Sequence, residues 1–122
     1  MNKDLQIAKE TVKAEIKALK KLSSSFNRSS HFSKAVNTLS KMKGKCLVVG
    51  VGKSYIVSLK VSATLSSLGT PSVAFSANDL QHGGLGAIQK NSDVLLIFSV
   101  SGESSELNSI LRYANRHNIP AI

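Results

Sequence analysis

The fold of this chain is constrained most by one feature of the sequence, a short apolar run that ends at two glycines and is followed by a helical pattern. The run Cys46–Val49 is followed by Gly50 and Gly52, and an amphipathic pattern begins at Ser54. This order is typical of a buried strand, a tight turn and a helix. Such a turn directs the first backbone N–H groups of the helix towards the space above the strand end, which favours an anion. We therefore expect an anion site with Lys53 and Ser54 at its mouth.

The same plan occurs again near the end of the chain. A strand is predicted over Val94–Phe98, followed by the loop Ser-Val-Ser-Gly-Glu-Ser and a helix over residues 104–116. Hydroxyl groups at a strand end, beside a helix N-terminus, can bind one anion together. Ser101 or Ser104 could instead cap the helix, with Glu103 in its first turn, and the two roles are compatible. The residues predicted to face inward from this helix are Leu107, Ile110, Leu111 and Ala114.

A third polar segment separates these two units. The first helix is predicted to run to about Leu68, where Gly-Thr-Pro ends it, and a short strand covers Ser72–Phe75. The glycine-rich segment Ser76–Gly86 then follows, with a possible helical turn from Asn78. His82 lies in it beside two glycines and fits no hydrophobic periodicity, so we expect an acid, base or hydrogen-bonding role.

Strands that alternate with helices predict an α/β fold, a doubly wound parallel sheet covered on both faces. A fourth strand is expected over Asn118–Ile122, and because no covering helix follows it, we expect a piece of a longer domain. Two amphipathic helices, over residues 4–22 and 31–42 with Ser23–Ser25 interrupting between them, precede the sheet. They should cover a sheet face or pair with another subunit. The predicted division is residues 1–44 for these helices and 45–122 for the sheet domain.

The charge and composition of the chain argue against some classes of function, nucleic-acid binding among them. Residues 1–53 hold twelve basic and three acidic residues, whereas residues 54–122 hold four of each. The basic arm has few aromatic residues and no recognition-helix pattern, so nucleic-acid binding is not expected. The single cysteine, Cys46, lies in an apolar run and is expected to be a buried, reduced thiol. With no signal core and no run of about 20 apolar residues, we expect a soluble, cytoplasmic protein.

Two nucleotide-binding motifs do not fit the first turn. A phosphate-binding loop of nucleotidases needs four residues between its first glycine and Gly-Lys, but only one residue separates Gly50 from Gly52. In the dinucleotide fingerprint, the position of the third glycine is occupied by Tyr55. No cofactor and no metal site are predicted.

The motifs taken together resemble those of a known family. Gly-x-Gly-Lys-Ser, Gly-Thr-Pro, His-Gly-x-Leu-Gly and Ser-x-Ser-Gly-Glu-Ser-x-Glu, in this order from about Gly44 to Ile122, resemble the sugar isomerase (SIS) domain. More narrowly, they are similar to the arabinose-5-phosphate isomerase family. The resemblance implies a flavodoxin-like sheet and a homotetramer. It also implies an enzyme that interconverts ribulose 5-phosphate and arabinose 5-phosphate, in the synthesis of the octulosonate sugar of lipopolysaccharide or capsule.

The resemblance also assigns roles to individual residues. Lys53, His82 and Glu106 match positions that act on the sugar, with Glu103 as an alternative carboxylate. Such an isomerisation needs a base that moves a proton between C1 and C2, and a group that stabilises the enediolate. The residues implied to bind the substrate phosphate are Ser54, Ser99, Ser101 and Ser104, with the backbones of Gly52 and Gly102 shaping the loops.

The sequence departs from the family pattern in places. Gly84 replaces an acidic residue after His-Gly, Tyr55 begins an unusual segment, and a further glutamate and histidine of the family lie beyond Ile122. We therefore expect little turnover from these 122 residues alone. Two alternatives stay open: a non-catalytic phosphosugar-binding module of a regulator, and an interaction fragment that associates through open sheet edges.

Overall fold

The fold alternates helices and strands in the order that the sequence predicts. The computed structural model describes residues 2–26 and 30–122, and the internal contacts divide the chain into two compact units, residues 1–36 and 37–122. The elements are α1 Lys3–Ser25, α2 Ser30–Ser40, β1 Cys46–Gly50, α3 Lys53–Ser67, β2 Ser72–Ser76, α4 Ala77–Gln81, a 3-10 turn Gly84–Ala87, β3 Val94–Phe98 and α5 Ser105–Arg116. None of the helices in the described ranges combines the length and apolar character needed to cross a membrane.

The first unit contains α1, which is longer than predicted. Ser24 and Ser25 donate their hydroxyl protons to the carbonyls of Lys20 and Leu22, and the helix continues through the serines that were expected to interrupt it. That prediction was wrong because serine is accommodated in a helix by bonding back to the preceding turn. Residues 27–29, between α1 and α2 in the chain, lie outside the described residues. None of the described α1 residues is buried.

The second unit contains a parallel sheet in the order β2-β1-β3. All five residues of β1 are buried, as expected for a central strand of a parallel sheet. The predicted fourth strand is reduced to a parallel bridge between Ala121 and Leu95. Around it, Ile122 donates its N–H to the Leu95 carbonyl at 2.9 Å, and Ile97 donates to the Ile122 carbonyl at 2.9 Å.

Helices cover both faces of the sheet, which confirms the doubly wound prediction. On one face, Leu47 and Val49 of β1 pack with α4 and α5 in the main apolar core. The opposite face of β1 packs against α3, whose buried residues are Ser58 and Ser62. From α5, three of the four predicted inward residues are buried, but Leu111 is 41% exposed. The prediction for Leu111 was wrong because this side chain points away from the buried stripe that the other three residues form along the helix.

Candidate active site

Three segments leave the sheet from one row of paired residues. Gly50, the last residue of β1, is opposite Ser76 of β2 and Phe98 of β3. Neighbouring strands are about 4.8 Å apart, so the segments after these residues begin side by side. In addition, α3 and α5 follow adjacent strands and lie on opposite faces of the sheet. In open α/β sheets, ligands bind at such a crossover point, beyond the carboxyl ends of the strands.

The turn after β1 requires both of its glycines. A Cβ on Gly50 would lie 2.5 Å from the Ser54 carbonyl oxygen and 2.6 Å from the Tyr55 nitrogen, so only glycine lets α3 approach the strand this closely. Gly52 has a φ of +55°, which disfavours any residue with a Cβ. The predicted tight turn is therefore explained by two different requirements, space at Gly50 and conformation at Gly52.

This turn presents Lys53 and Ser54 at the first turn of α3. Lys53 is the first residue of the helix and is exposed, whereas Ser54 is half-buried. The N–H groups of Ser54 and Tyr55 donate to the carbonyls of Val51 and Gly52, each at 3.0 Å. Because these two amides are already paired, the ammonium of Lys53 and the hydroxyl of Ser54 are the side-chain donors that the turn offers to an anion.

The loop after β3 is closed by its own serines. Ser99 Oγ accepts the Gly102 N–H at 2.9 Å, and Ser101 Oγ accepts the Glu103 N–H at 3.2 Å. Gly102 has a φ of +72°, the left-handed conformation that glycine adopts most easily. A hydroxyl that accepts one hydrogen bond still has a proton to donate. Both serines can therefore shape the loop and bind an anion at once.

Ser104 occupies the N-cap position of α5. Its backbone is extended, with φ −64° and ψ 123°, but its side chain makes no capping hydrogen bond. Its carbonyl accepts the Leu107 N–H at 3.0 Å, which begins the helix. The hydroxyl group of Ser104 thus lies at the positive end of the α5 dipole without a capping partner there.

His82 lies where α4 ends. Ser76 begins this short helix by accepting the Asp79 N–H at 3.1 Å, and the His82 N–H donates to the Asn78 carbonyl at 3.1 Å. Its side chain is exposed, as expected for a histidine outside the core. The next residue, Gly83, has a φ of +123°, so the chain turns sharply directly after His82.

The carboxylate candidates differ in their surroundings. Glu106 lies in the first turn of α5 and is half-buried, and its Oε2 accepts the Ser105 hydroxyl at 3.2 Å. Glu103 is exposed in the loop. No ion pair joins Lys53 to Glu106 in the described structure. Lys53 therefore lies on the α3 side and Glu106 on the α5 side without a direct charge contact between them.

Sequence reasoning missed a residue that joins two parts of this region. The Gln81 side chain donates to the carbonyl of Glu106 at 2.6 Å and to the hydroxyl of Ser109. These partners are 25 and 28 residues away in the chain. No local pattern marks Gln81, since it differs from its polar neighbours only through its tertiary contacts.

The opposite end of the sheet holds a different cluster. The side chain of Asp93 is fully buried and accepts from the Lys45 backbone N–H at 2.9 Å, the Lys45 ammonium at 2.7 Å and the Gln89 N–H at 2.8 Å. Burial raises the pKa of Asp93, but the hydrogen bonds from Lys45 and Gln89 outweigh it and hold the pKa below its usual range. A cavity of about 480 Å³ lies at this end, and none of the predicted site residues lines it. We assign this cluster to stability.

The donor set at the carboxyl edge suits an oxyanion. It consists of four serine hydroxyls, one ammonium and the N-terminus of α5, all of which can donate to phosphate oxygens. Within residues 2–26 and 30–122, no three His, Cys, Asp or Glu side chains are grouped as metal ligands.

Comparisons with known proteins identify the family of the chain. The SIS domain model matches residues 38–122. The chain is 35% identical over 117 residues to the arabinose 5-phosphate isomerase KdsD of Escherichia coli K12, covering 96% of this chain and 35% of that protein. It is 35% identical over 125 residues to the KdsD of Francisella tularensis, covering 100% and 37%. The chain thus spans about a third of the length of the curated relatives that it matches.

Solved structures are similar over most of the chain. The protein c3406 of Escherichia coli CFT073, solved in complex with arabinose 5-phosphate, has a TM-score of 0.84 at 31% identity, covering 99% of this chain and 63% of that one. A sugar-phosphate isomerase homologue from Listeria monocytogenes has a TM-score of 0.68 at 27% identity, covering 73% and 46%. The sheet order, the serine loop and the family match lead to one conclusion: the chain belongs to the SIS domain family.

Proposed function

We propose that the protein carrying this sequence is a sugar-phosphate isomerase that interconverts D-ribulose 5-phosphate and D-arabinose 5-phosphate. The observation that carries the proposal is the serine loop after β3, which lies beside the β1–α3 turn at the carboxyl edge of the sheet. The similarity to KdsD proteins over nearly the whole chain supports this choice of sugar phosphate.

The phosphate group is proposed to bind between the two turns. Ser99 and Ser101 would donate their hydroxyl protons to it while still accepting the loop N–H groups. Ser104 would add a hydroxyl at the N-terminus of α5, where the helix dipole favours negative charge. Ser54 would complete the set from the opposite side. Four hydroxyls at one strand edge suit a dianion better than any neutral ligand, because each bond to a charged acceptor is stronger.

The sugar end is proposed to undergo proton transfer between C1 and C2. Glu106 acts as the base that removes a proton from C1 of ribulose 5-phosphate, and the C2 carbonyl then becomes an enediolate oxygen. The ammonium of Lys53 stabilises that negative charge. Glu106 returns the proton to C2, while His82 moves the hydroxyl proton from O1 to O2 as the C1 carbonyl forms. No other reactant is needed, because the reaction moves hydrogen within one molecule.

Homo-oligomerisation forms part of the proposal. The apolar side chains along α1 are between 47% and 64% exposed in the single chain, and these are Leu5, Ile7, Val12, Ile16, Leu19 and Leu22. A helix with such an exposed stripe gains most by pairing with a second apolar surface. Sedimentation of the protein should show an assembly, and Leu19→Glu should dissociate it. A monomer at micromolar concentration would contradict this part.

The decisive experiment adds ribulose 5-phosphate to the purified gene product and measures the arabinose 5-phosphate formed, with residues 1–122 measured beside it. Lys53→Ala should lower turnover at least about tenfold, as loss of one charge-stabilising group does. Lys60→Ala is the matched control, since Lys60 is an exposed lysine further along the same helix. Phosphosugar binding without turnover in the complete protein would instead identify a non-catalytic binding module.

A further inference from the structure

Gln81 forms the only side-chain hydrogen bonds found between α4 and α5 in the described part of the chain. Its Nε2 donates to the Glu106 carbonyl at 2.6 Å and also to the Ser109 hydroxyl. Ser109 in turn donates to the Glu106 carbonyl at 3.2 Å. The three groups form a closed set, half-buried between the two helices.

This set of hydrogen bonds connects the segments that carry two of the proposed catalytic residues, His82 and Glu106. Gln81 is the last residue of α4 and directly precedes His82, while its acceptor belongs to Glu106. The Gln81 side chain therefore joins the backbone of Glu106 to the chain segment directly before His82. Lys53 lies on the opposite face of the sheet and takes no part in this link.

The segment that carries His82 is short, and its end is held by Leu80, which is fully buried in the core, and by Gln81. With five residues, α4 is too short to be stable by itself. After His82 the chain continues through Gly83 and Gly84, which restrict the backbone least of all residues. The Ser76 cap fixes the start of α4, and the hydrogen bonds of Gln81 join its end to Glu106 and Ser109 of α5.

We propose that Gln81 is a positioning residue that holds His82 at a fixed distance from Glu106. The inference rests on the proposed function for the roles of these two residues. A donor is needed here because the groups facing Nε2 are a carbonyl and a hydroxyl oxygen. An apolar side chain of the same length would fill the space but remove both hydrogen bonds that join the end of α4 to α5. Small displacements of catalytic groups reduce turnover strongly without weakening substrate binding to the same extent.

The test compares Gln81→Met, which keeps length but removes the donors, with the wild-type gene product. We expect kcat to fall roughly 10- to 100-fold, as a displacement of about 1 Å does, with KM changed less than about threefold. Gln89→Met is the matched control, because Gln89 makes one exposed side-chain hydrogen bond, with Ser92, away from this set. A kcat for Gln81→Met equal to that of Gln89→Met would overturn the proposal.

A second variant tests the link itself. Ser109→Ala removes one acceptor, so it should have a smaller effect than Gln81→Met, and the double variant should be no slower than Gln81→Met alone. Fully additive effects would show that the two residues act separately and would contradict the proposal.

A measurement without substrate separates this inference from the proposed function. Amide hydrogen exchange of residues 82–86 should become roughly tenfold faster in Gln81→Met than in Gln89→Met, because local opening is easier once the end of α4 is released. An inactive wild-type protein would refute the proposed isomerase, while this exchange experiment still decides whether Gln81 holds His82. Unchanged exchange would refute the positioning role.

Discussion

Replacing Gly50 by alanine is the sharpest test of how the β1–α3 turn is built. The Cβ of alanine would lie 2.5 Å from the Ser54 carbonyl oxygen and 2.6 Å from the Tyr55 nitrogen. Both atoms belong to the backbone of the first turn of α3, so no side chain can rotate to make room. The nearest atom, the Ser54 carbonyl carbon, would lie 2.4 Å from the new Cβ, so the helix N-terminus must move away from the strand by about 1 Å to reach an ordinary contact of 3.4 Å.

The change in the free energy of unfolding follows from two opposing effects. Forcing one extra carbon into a packed region costs about 1–3 kcal/mol. The alanine also restricts the unfolded chain, which returns roughly 0.4–1 kcal/mol. We therefore expect a net loss of about 1–2 kcal/mol in the free energy of unfolding. Because Lys53 and Ser54 move with the helix, turnover of ribulose 5-phosphate should fall about a hundredfold.

The matched control is Gly86→Ala. No atom lies within 4 Å of a Cβ at Gly86, and its φ is not in the left-handed region. This variant should be as stable as the wild type or up to about 1 kcal/mol more stable. Urea unfolding gives the stability difference, and the isomerase assay gives the rates. Equal stability and equal rates for the two variants would refute the reasoning about space at Gly50.

Three further predictions concern separate groups. The pKa of Asp93 is lower in the folded state than in the unfolded state, where it is about 3.9. Its contribution to stability is therefore present above the unfolded pKa and is lost as the pH falls through the lower, folded value. Acid unfolding should show this loss, and Asp93→Asn should make the stability depend less on pH in this range. Burial raises the pKa of Cys46 to about 11, so at about pH 8 thiol reagents should label it only as fast as the protein unfolds, and rapid labelling of native protein would contradict this. Ser101→Ala should weaken phosphosugar binding by roughly 1.5–3 kcal/mol, measured by titration calorimetry, and unchanged affinity would remove Ser101 from the phosphate site.

The strands and the turns that carry the candidate site could be predicted from the amino-acid sequence alone. The apolar run from Cys46 and its glycines predicted β1, the turn and α3 to within one residue, and β3 was predicted with its observed bounds. These features depend on residues that are close together in the chain. Hydrophobic periodicity and glycine conformation act over a few positions, so they can be recognised without any tertiary structure.

Which polar residues are buried, and which distant side chains come into contact, depends on the tertiary structure. Ser58 and Ser62 are buried on α3 because the helix lies flat on the sheet, where small side chains allow close approach. Gln81 meets Glu106 only because β1 lies between β2 and β3, which brings α4 beside α5. Contacts of this kind join residues that are far apart in the chain. They follow from the order of strands in the sheet, and no local pattern of residues specifies them.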